Sequence, residues 1–412
     1  MYVKFKKTPI GEIPEDWDVK SLSEVAEYIN GYAFSPKDWK DKGLPIIRIQ
    51  NLNDLKAEFN YFDGEIDEKY IVENGDLLFS WSASIGVYLW NRGKAVLNQH
   101  IFKVIPKRGI DKLYLYYAMF LAIEQLKNRI HGSTMKHFKK GELKRTFIPL
   151  PPLPEQKKIA QILRTVDEAI EKTDLAIEKT ERLKKGLMQR LLTKGIKHER
   201  FKKTEIGEIP EEWRVVKLGE VTLKIKTGPF GSQLRKSELT EEGIKVYTQE
   251  NVLKKDFSIG NTYISLKKFE ELKSMEVNPG DVLLTIRGTV GKAAVVPDNA
   301  KIGIIHTNLA LIRTNLNELL PEYLERIIND SKLILNQIRS SRSSTTLPAL
   351  YAGTIRRLKI PLPPLPEQKK IAEILMTVDK KLELLRKRKE KLERIKKGLM
   401  KDLLTGRRRV KV

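Results

Sequence analysis

Three polar stretches carry the side chains best suited to binding chemistry. Arg129-Ile-His-Gly-Ser-Thr-Met-Lys-His-Phe-Lys-Lys supplies Arg129, Ser133, Thr134, Lys136 and Lys139. Arg339-Ser-Ser-Arg-Ser-Ser-Thr-Thr-Leu-Pro supplies Arg342, Ser344 and Thr345. A tight loop, Thr227-Gly-Pro-Phe-Gly-Ser-Gln, adds Gly228, Phe230, Gly231, Ser232 and Gln233, flanked by Lys226 and Arg235. Its counterpart, Asn30-Gly31-Tyr32-Ala33-Phe34-Ser35, reads as looser. Further polar groups lie at expected strand ends: Arg48, Gln50, Asn51, Asn98 and Gln99, then Thr248, Gln249, Asn251, Arg287, His306 and Asn308. Hydroxyls and backbone N–H groups bind phosphate oxygens, and arginine pairs with the edge of guanine. For any one of these residues a solvated loop position is the simpler reading. As a set lining one face, they point to nucleic acid.

Catalytic constellations are missing. The five histidines (His100, His131, His137, His198, His306) show no metal-ligand spacing such as H-E-x-x-H. There is no G-x-x-x-x-G-K-[ST] phosphate loop, no glycine-rich cofactor loop after a strand, and no Asn-Pro-Pro-aromatic tetrapeptide. No carboxylate-and-lysine nuclease cluster recurs. Cysteine is absent, which excludes disulfides, thiolate nucleophiles and Cys-containing zinc sites. We therefore expect no metal, no cofactor and no enzymatic activity.

The 412 residues suit two or three domains. Lys and Arg number 77 against 53 Asp and Glu, a net charge of +24. That balance is the footprint of a nucleic-acid binder, although a generic basic surface would produce it too. The charge is spread along the chain, which argues against one amphipathic membrane helix. No run nears the ~18 apolar residues of a membrane span, and the first residues lack an apolar signal segment. A cytoplasmic protein with no membrane contact is expected.

The chain repeats itself, and the repeat governs the fold. FKKTPIGEIPEDWDVKSLSEV from Phe5 returns as FKKTEIGEIPEEWRVVKLGEV from Phe201, 196 positions on. IPLPPLPEQKKIA occupies Ile148–Ala160 and again Ile360–Ala372, 212 positions on. ERLKKGLMQRLLTKG from Glu181 returns as ERIKKGLMKDLLTGR from Glu393. Sixteen residues are thus added within the second half. Each half has a shared start, a divergent middle and a shared end. A duplicated enzyme would keep its catalytic residues in both halves, whereas a binder of two different targets would look like this.

The shared ends read as long helices. PLPPLP at Pro149–Pro154 and Pro361–Pro366 cannot be helical, and Glu155 or Glu367 opens the helix after it. Apolar residues then recur at alternating four and three spacing, with a few polar positions in the seam. The seam runs from Ile159 and Leu163 through Thr173, Thr180 and Lys184 to Leu191, and from Ile371 and Leu375 through Lys389 and Lys396 to Leu403. Some 38 residues at ~1.5 Å each make a rod of about 57 Å. Gly195 and Gly406 stop the helices. Two independent amphipathic helices are the alternative. If the seams satisfy each other, the path domain, helix, domain, helix makes the pair antiparallel and brings the C-terminus back to the N-terminus.

The middles read as mixed α/β. Strands are expected at Leu44–Ile49, Gly75–Ser80, Val87–Trp90 and Ile101–Val104, then Lys245–Thr248, Asp281–Ile286, Ala293–Val296 and Leu309–Ile312. Helices are expected at Lys112–Ile130 and Pro321–Ile338.

With P-L-P-E-Q-[KR]-[KR]-I-A in duplicate, each followed by a long helix, and G-E-I-P-E-x-W leading each half, the whole chain resembles the specificity subunits of type I restriction-modification systems. The resemblance implies an α+β fold: two mixed α/β target-recognition domains joined by two long helices in an antiparallel coiled coil with pseudo-twofold symmetry. Its bounds here would be 1–150 and 198–362 for the recognition domains, 151–197 and 363–412 for the helices. It implies double-stranded DNA as ligand, read as a bipartite asymmetric site. Two methyltransferase subunits and the restriction/translocase subunits would be partners, and methyl transfer would occur in the partner. Docking and spacing would fall to Pro154, Glu155, Gln156, Ile159 and Leu163, and to Pro366, Glu367, Gln368, Ile371 and Leu375. The family's Gly-Pro-Phe-Gly-Ser loop matches Gly228–Ser232, while Gly31–Ser35 departs from it. The competing expectation is a coiled-coil nucleic-acid scaffold without sequence specificity.

Overall fold

The computed structural model describes residues 4–54, 56–129, 140–340 and 349–411. They form two compact units: Met1–Asp174 with Lys387–Val412, and Leu175–Arg386. These cut both long helices in half, unlike the serial division expected from sequence. Each unit holds one mixed domain, the half-helix that leaves it or enters it, and a stretch of the other long helix.

In the first unit the repeated start folds as a hairpin, Phe5–Thr8 against Gly11–Pro14. Asp18–Ser21 then pairs with Phe147–Leu150, the strand that runs into the proline segment. Between them lie two four-stranded sheets. One is antiparallel, in the order Ala26–Asn30, Ile101–Pro106, Leu77–Ser80, Gly86–Leu89. The other runs Asn60–Phe62, Leu44–Ile47, Ala95–Leu97, Ile71–Val72, with its central pair parallel. Leu77–Ser80 is buried on both faces. Leu77 and Phe79 pack with Tyr114, Leu115 and Met119 of the helix Lys112–Arg129. Leu78 points the other way, toward Ile47 and Trp90. The two-residue period of the strand thus divides one apolar run between two cores.

The second unit repeats this plan. Its hairpin is Phe201–Thr204 with Gly207–Pro210, and Arg214–Lys217 pairs with Lys359–Leu362. One sheet is Thr222–Thr227, Leu309–Thr314, Val282–Thr285, Ala293–Val295. The other has five strands around the parallel pair Ile244–Tyr247 and Gly303–Ile305. All eight strands expected from sequence are present, with ends within about two residues. The extra length enters in steps: matching strands are offset by 197 at Asn30 and Thr227, 205 at Leu77 and Val282, and 212 at Phe147 and Lys359. The helix expected at Pro321–Ile338 is two helices, Pro321–Asp330 and Lys332–Ser340. They part at Ser331, which adopts an extended backbone (φ −81°, ψ 120°). Asn329, Asp330 and Ser331 all compete with helical hydrogen bonding, and the Asn329 carboxamide instead bonds both backbone groups of Ala293.

The long helices are Leu153–Lys194 and Leu365–Leu403, 42 and 39 residues. They start inside the proline segment, not after it. Pro154 and Pro366 occupy the first turn, where no N–H is required. In the first unit Lys396 pairs with Asp167 at 2.6 Å and Lys389 with Asp174 at 2.7 Å. Seven residues forward on one helix is seven back on the other, so the segments are antiparallel. In the second unit Lys184 pairs with Asp379 at 2.6 Å and Arg386 with Glu181 at 2.7 Å, again antiparallel. The seam lysines Lys184, Lys389 and Lys396 therefore each face an acid. The apolar seam residues Ile159, Leu163, Ile371 and Leu375 are buried within their own units.

The two repeated sequence signatures are one structural joint. Trp17 Nε1 donates to Glu155 at 3.0 Å, and Trp213 Nε1 donates to Glu367 at 2.9 Å. Gln156 donates to Pro151 O and accepts from Asp111 N, at 2.8 and 2.9 Å. Gln368 does the same with Pro363 O and Leu320 N, at 2.9 and 2.9 Å. The chain that follows each long helix closes the joint. Beyond Gly195, His198 Nε2 meets Glu367 at 2.9 Å. Beyond Gly406, Arg409 grips Glu155 and also Asp16, with contacts of 2.7–2.8 Å. The C-terminal residues thus return to the N-terminal hairpin, as the repeat predicted.

Candidate nucleic-acid interface

Four strands of the second unit end in loops that meet. Gly228 follows Thr222–Thr227 and donates from its N–H to Leu309 O at 2.8 Å. A Cβ there would lie 2.2 Å from His306 O, so only glycine permits the approach. The turn that follows exposes Phe230, whose N–H is held by Gln233 Oε1 at 2.9 Å. Arg287, beyond Val282–Thr285, lays its guanidinium 4.8 Å from the Phe230 ring centroid. Its Nη1 donates to Thr307 Oγ1 at 3.1 Å. With its carboxamide oriented to satisfy both ends, Gln249 donates to Arg287 O at 3.2 Å and accepts from Thr289 N at 2.9 Å. Burial of His306 in this floor lowers its pKa from the ordinary value. The cluster is cationic, aromatic and braced from beneath.

The first unit presents different groups on the same frame. Gly31 donates to Ile101 O at 3.0 Å, and Tyr32 N to Leu97 O at 2.7 Å. A Cβ on Gly31 would sit 2.1 Å from Asn98 O. This loop is as close-set as its counterpart, contrary to the looser turn expected from its composition. Its rim is aromatic. Tyr32 edges Phe34 and Tyr70, with centroids 4.9 and 5.5 Å apart. Trp81 donates to Asn30 Oδ1 at 3.1 Å and edges His100 at 5.3 Å. Arg48 lies 5.3 Å above the Trp39 ring, and its buried Nε has no hydrogen-bond partner among the described residues.

Several expected contact residues have other work. Asn51 and Asn251 are 1% exposed. Each reaches back from the third position of a short helix to cap its start and ties down the loop beyond it. Asn51 accepts from Arg48 N and donates to Ala57 and Glu58 carbonyls. Asn251 accepts from Thr248 N and donates to Asp256 and Ile259 carbonyls. They are not available to a ligand. The same holds for the expected docking residues Glu155, Gln156 and Gln368, which are at most 2% exposed and hydrogen-bonded internally, and for buried Ile159, Leu163, Ile371 and Leu375. A side chain with no surface cannot dock a partner. Of that set Pro154 and Pro366 are exposed, and Glu367 is half-buried. Gly231, Gln233 and Arg235 are exposed. Ser133, Thr134, Lys136, Lys139, Arg342, Ser344 and Thr345 lie outside the described residues, as do the side chains of Arg129 and Ser232. The aromatic rim of the first unit was missed in the sequence. The alternating Tyr32 and Phe34 were its available signal, Tyr32 exposed and Phe34 buried beneath it. Among the described residues, no three His, Asp or Glu side chains gather as a metal site, and no helix is long and apolar enough to cross a membrane.

A family model described as the type I restriction modification DNA specificity domain matches residues 14–179 and again 210–394. The MjaX type I restriction enzyme specificity subunit of Methanocaldococcus jannaschii is 35% identical, over 99% of this chain and 97% of its own. The MjaVIII specificity subunit of the same organism is 32% identical, over 99% and 96%. The EcoBI specificity subunit of Escherichia coli is 25% identical, over 87% and 78%. Among solved structures, the S subunit of a type I restriction-modification system from M. genitalium superposes with a TM-score of 0.59 at 18% identity, covering 98% of this chain and 99% of that one.

Proposed function

Because this chain belongs to the type I restriction-modification DNA specificity family, we propose that it is the subunit that chooses the DNA site and hands it to catalytic partners. Two recognition domains, residues 1–150 and 198–362, each read one half of a bipartite, asymmetric site on double-stranded DNA. The long helices, 151–197 and 363–412, hold the readers at a fixed spacing. Two methyltransferase subunits dock on the repeated framework near exposed Pro154 and Pro366, and restriction/translocase subunits join the larger assembly. The chain itself performs no chemistry.

One observation carries this reading. A single backbone frame, down to the glycine pressed on a carbonyl at Gly31 and Gly228, presents Trp81, Tyr32 and Arg48 in one unit but Arg287, Phe230 and Gln249 in the other. A frame kept while its cargo changes is what two different half-sites require. Tethering two weak readers raises affinity without new contacts when the spacing fits. The net charge of +24 supplies the sequence-independent attraction to phosphate.

The test is selection from a random duplex pool at moderate salt, with the full chain alone and then with its cognate methyltransferase subunit. Enrichment of two short, different half-sites is expected. Uniform binding that weakens steeply with salt in both conditions would reduce the protein to a scaffold without specificity.

A further inference from the structure

We infer that Arg287 is the guanine-reading residue of the second half-site, preset by Phe230 and Thr307. The inference rests on the DNA-reading role proposed above and assigns one base to one side chain. Three observations carry it. The guanidinium lies over an exposed aromatic ring, 4.8 Å from its centroid, which restricts its rotation. Nη1 is anchored to Thr307 Oγ1 at 3.1 Å. That leaves the Nε and Nη2 edge with no hydrogen-bond partner among the described residues. Two parallel N–H groups on a fixed edge match the O6 and N7 acceptors of guanine in the major groove. Backbone bracing completes the seat, since Gln249 ties the Arg287 carbonyl to Thr289.

A phosphate contact needs none of this. Phosphate is reached as readily by the exposed lysines of the surface, and positioning it calls for charge more than for a held plane. The first unit has no arginine at the matching position. The strand position matching Arg287 is Ser82, which is 6% exposed. The position matching Thr307 is Gln99. The contact should therefore mark one half-site and leave the other untouched.

The test is the duplex selection repeated with full-length wild type, Arg287→Ala, Arg287→Lys and Phe230→Ala, each checked by thermal melting. In wild type, one half-site should hold an invariant guanine. Arg287→Ala should cut the preference for that guanine roughly tenfold or more, while the other half-site stays as selected. Arg287→Lys should fall between, because lysine offers charge without the fork. Phe230→Ala keeps the charge and frees the plane, so it should weaken the same base preference and no other. It stands in if Arg287→Ala melts early. An unchanged pair of half-sites in the alanine variants overturns the inference while leaving the specificity role intact. Equal loss on all sequences, with a salt slope smaller by about one, assigns Arg287 to phosphate and overturns it too. Failure of wild type to enrich any half-site sinks the specificity role, and this inference with it.

Discussion

Asp330 carries a poorly compensated charge in the second unit. It closes the helix Pro321–Asp330, and burial raises its carboxyl pKa above the ordinary value despite Lys184 and Arg326 nearby. Its Oδ2 is buried without a hydrogen-bond partner among the described residues, and Arg326 stands 3.7 Å away, engaged with Asp379. A raised carboxyl pKa means that the folded state binds the proton more tightly than the unfolded chain does. The penalty is absent below the unfolded pKa and grows as pH rises through the folded one. Asp330→Asn should therefore stabilise the chain at pH 7, by about 1 kcal/mol, and lose that advantage toward pH 4. Urea unfolding of both proteins at the two pH values checks this, and a less stable variant at pH 7 contradicts it. Residues of this kind were only partly legible in the sequence. Arg287 stood out by type, but its Phe230 and Thr307 partners come from loops far away in the chain. Asn51 and Asn251 looked like readers because a carboxamide serves a base edge and a turn equally well. Only the curl of the following loop decides.

Elements were legible where periodicity had room to show. Leu77–Ser80 and Val282–Thr285 announce themselves as short apolar runs, and the long helices by their seam. The edge strands Asn60–Phe62, Ile71–Val72 and Glu276–Val277 are two or three residues long and leave no pattern to read. The framework hairpins were visible as repeats but not as strands. Polar seam positions looked like interruptions, yet they fix the register of the helix pair. Lys396 is the clearest case, facing Asp167 at 2.6 Å, and Asp167 also accepts from Tyr117 at 2.7 Å, with little exposure on either side. Asp167→Ala should cost about 2–3 kcal/mol, because it strands a lysine and a buried hydroxyl together. Asp167→Leu combined with Lys396→Met should recover most of that loss. Chemical unfolding of the single and double variants measures the difference. Equal losses summed in the double variant would show that the pair does not act as a unit.

At the scale of the molecule, the repeat was the most informative feature of the sequence. It predicted two equivalent units, antiparallel helix segments and a C-terminus returned to the N-terminus, and Arg409 on Asp16 and Glu155 completes that return. Each compact unit takes in one mixed domain and parts of both long helices. The cause is packing: a long helix buries its seam against the partner that chain order sends back past it. The central proposal is that two different readers are held at one spacing. Its most direct test uses the wild-type chain and a panel of duplexes that carry both selected half-sites, with the spacer changed one base pair at a time. Equilibrium binding should peak at a single spacer, and either half-site alone should bind far more weakly. Affinity indifferent to spacing, or equal to that of one half-site, would contradict the account.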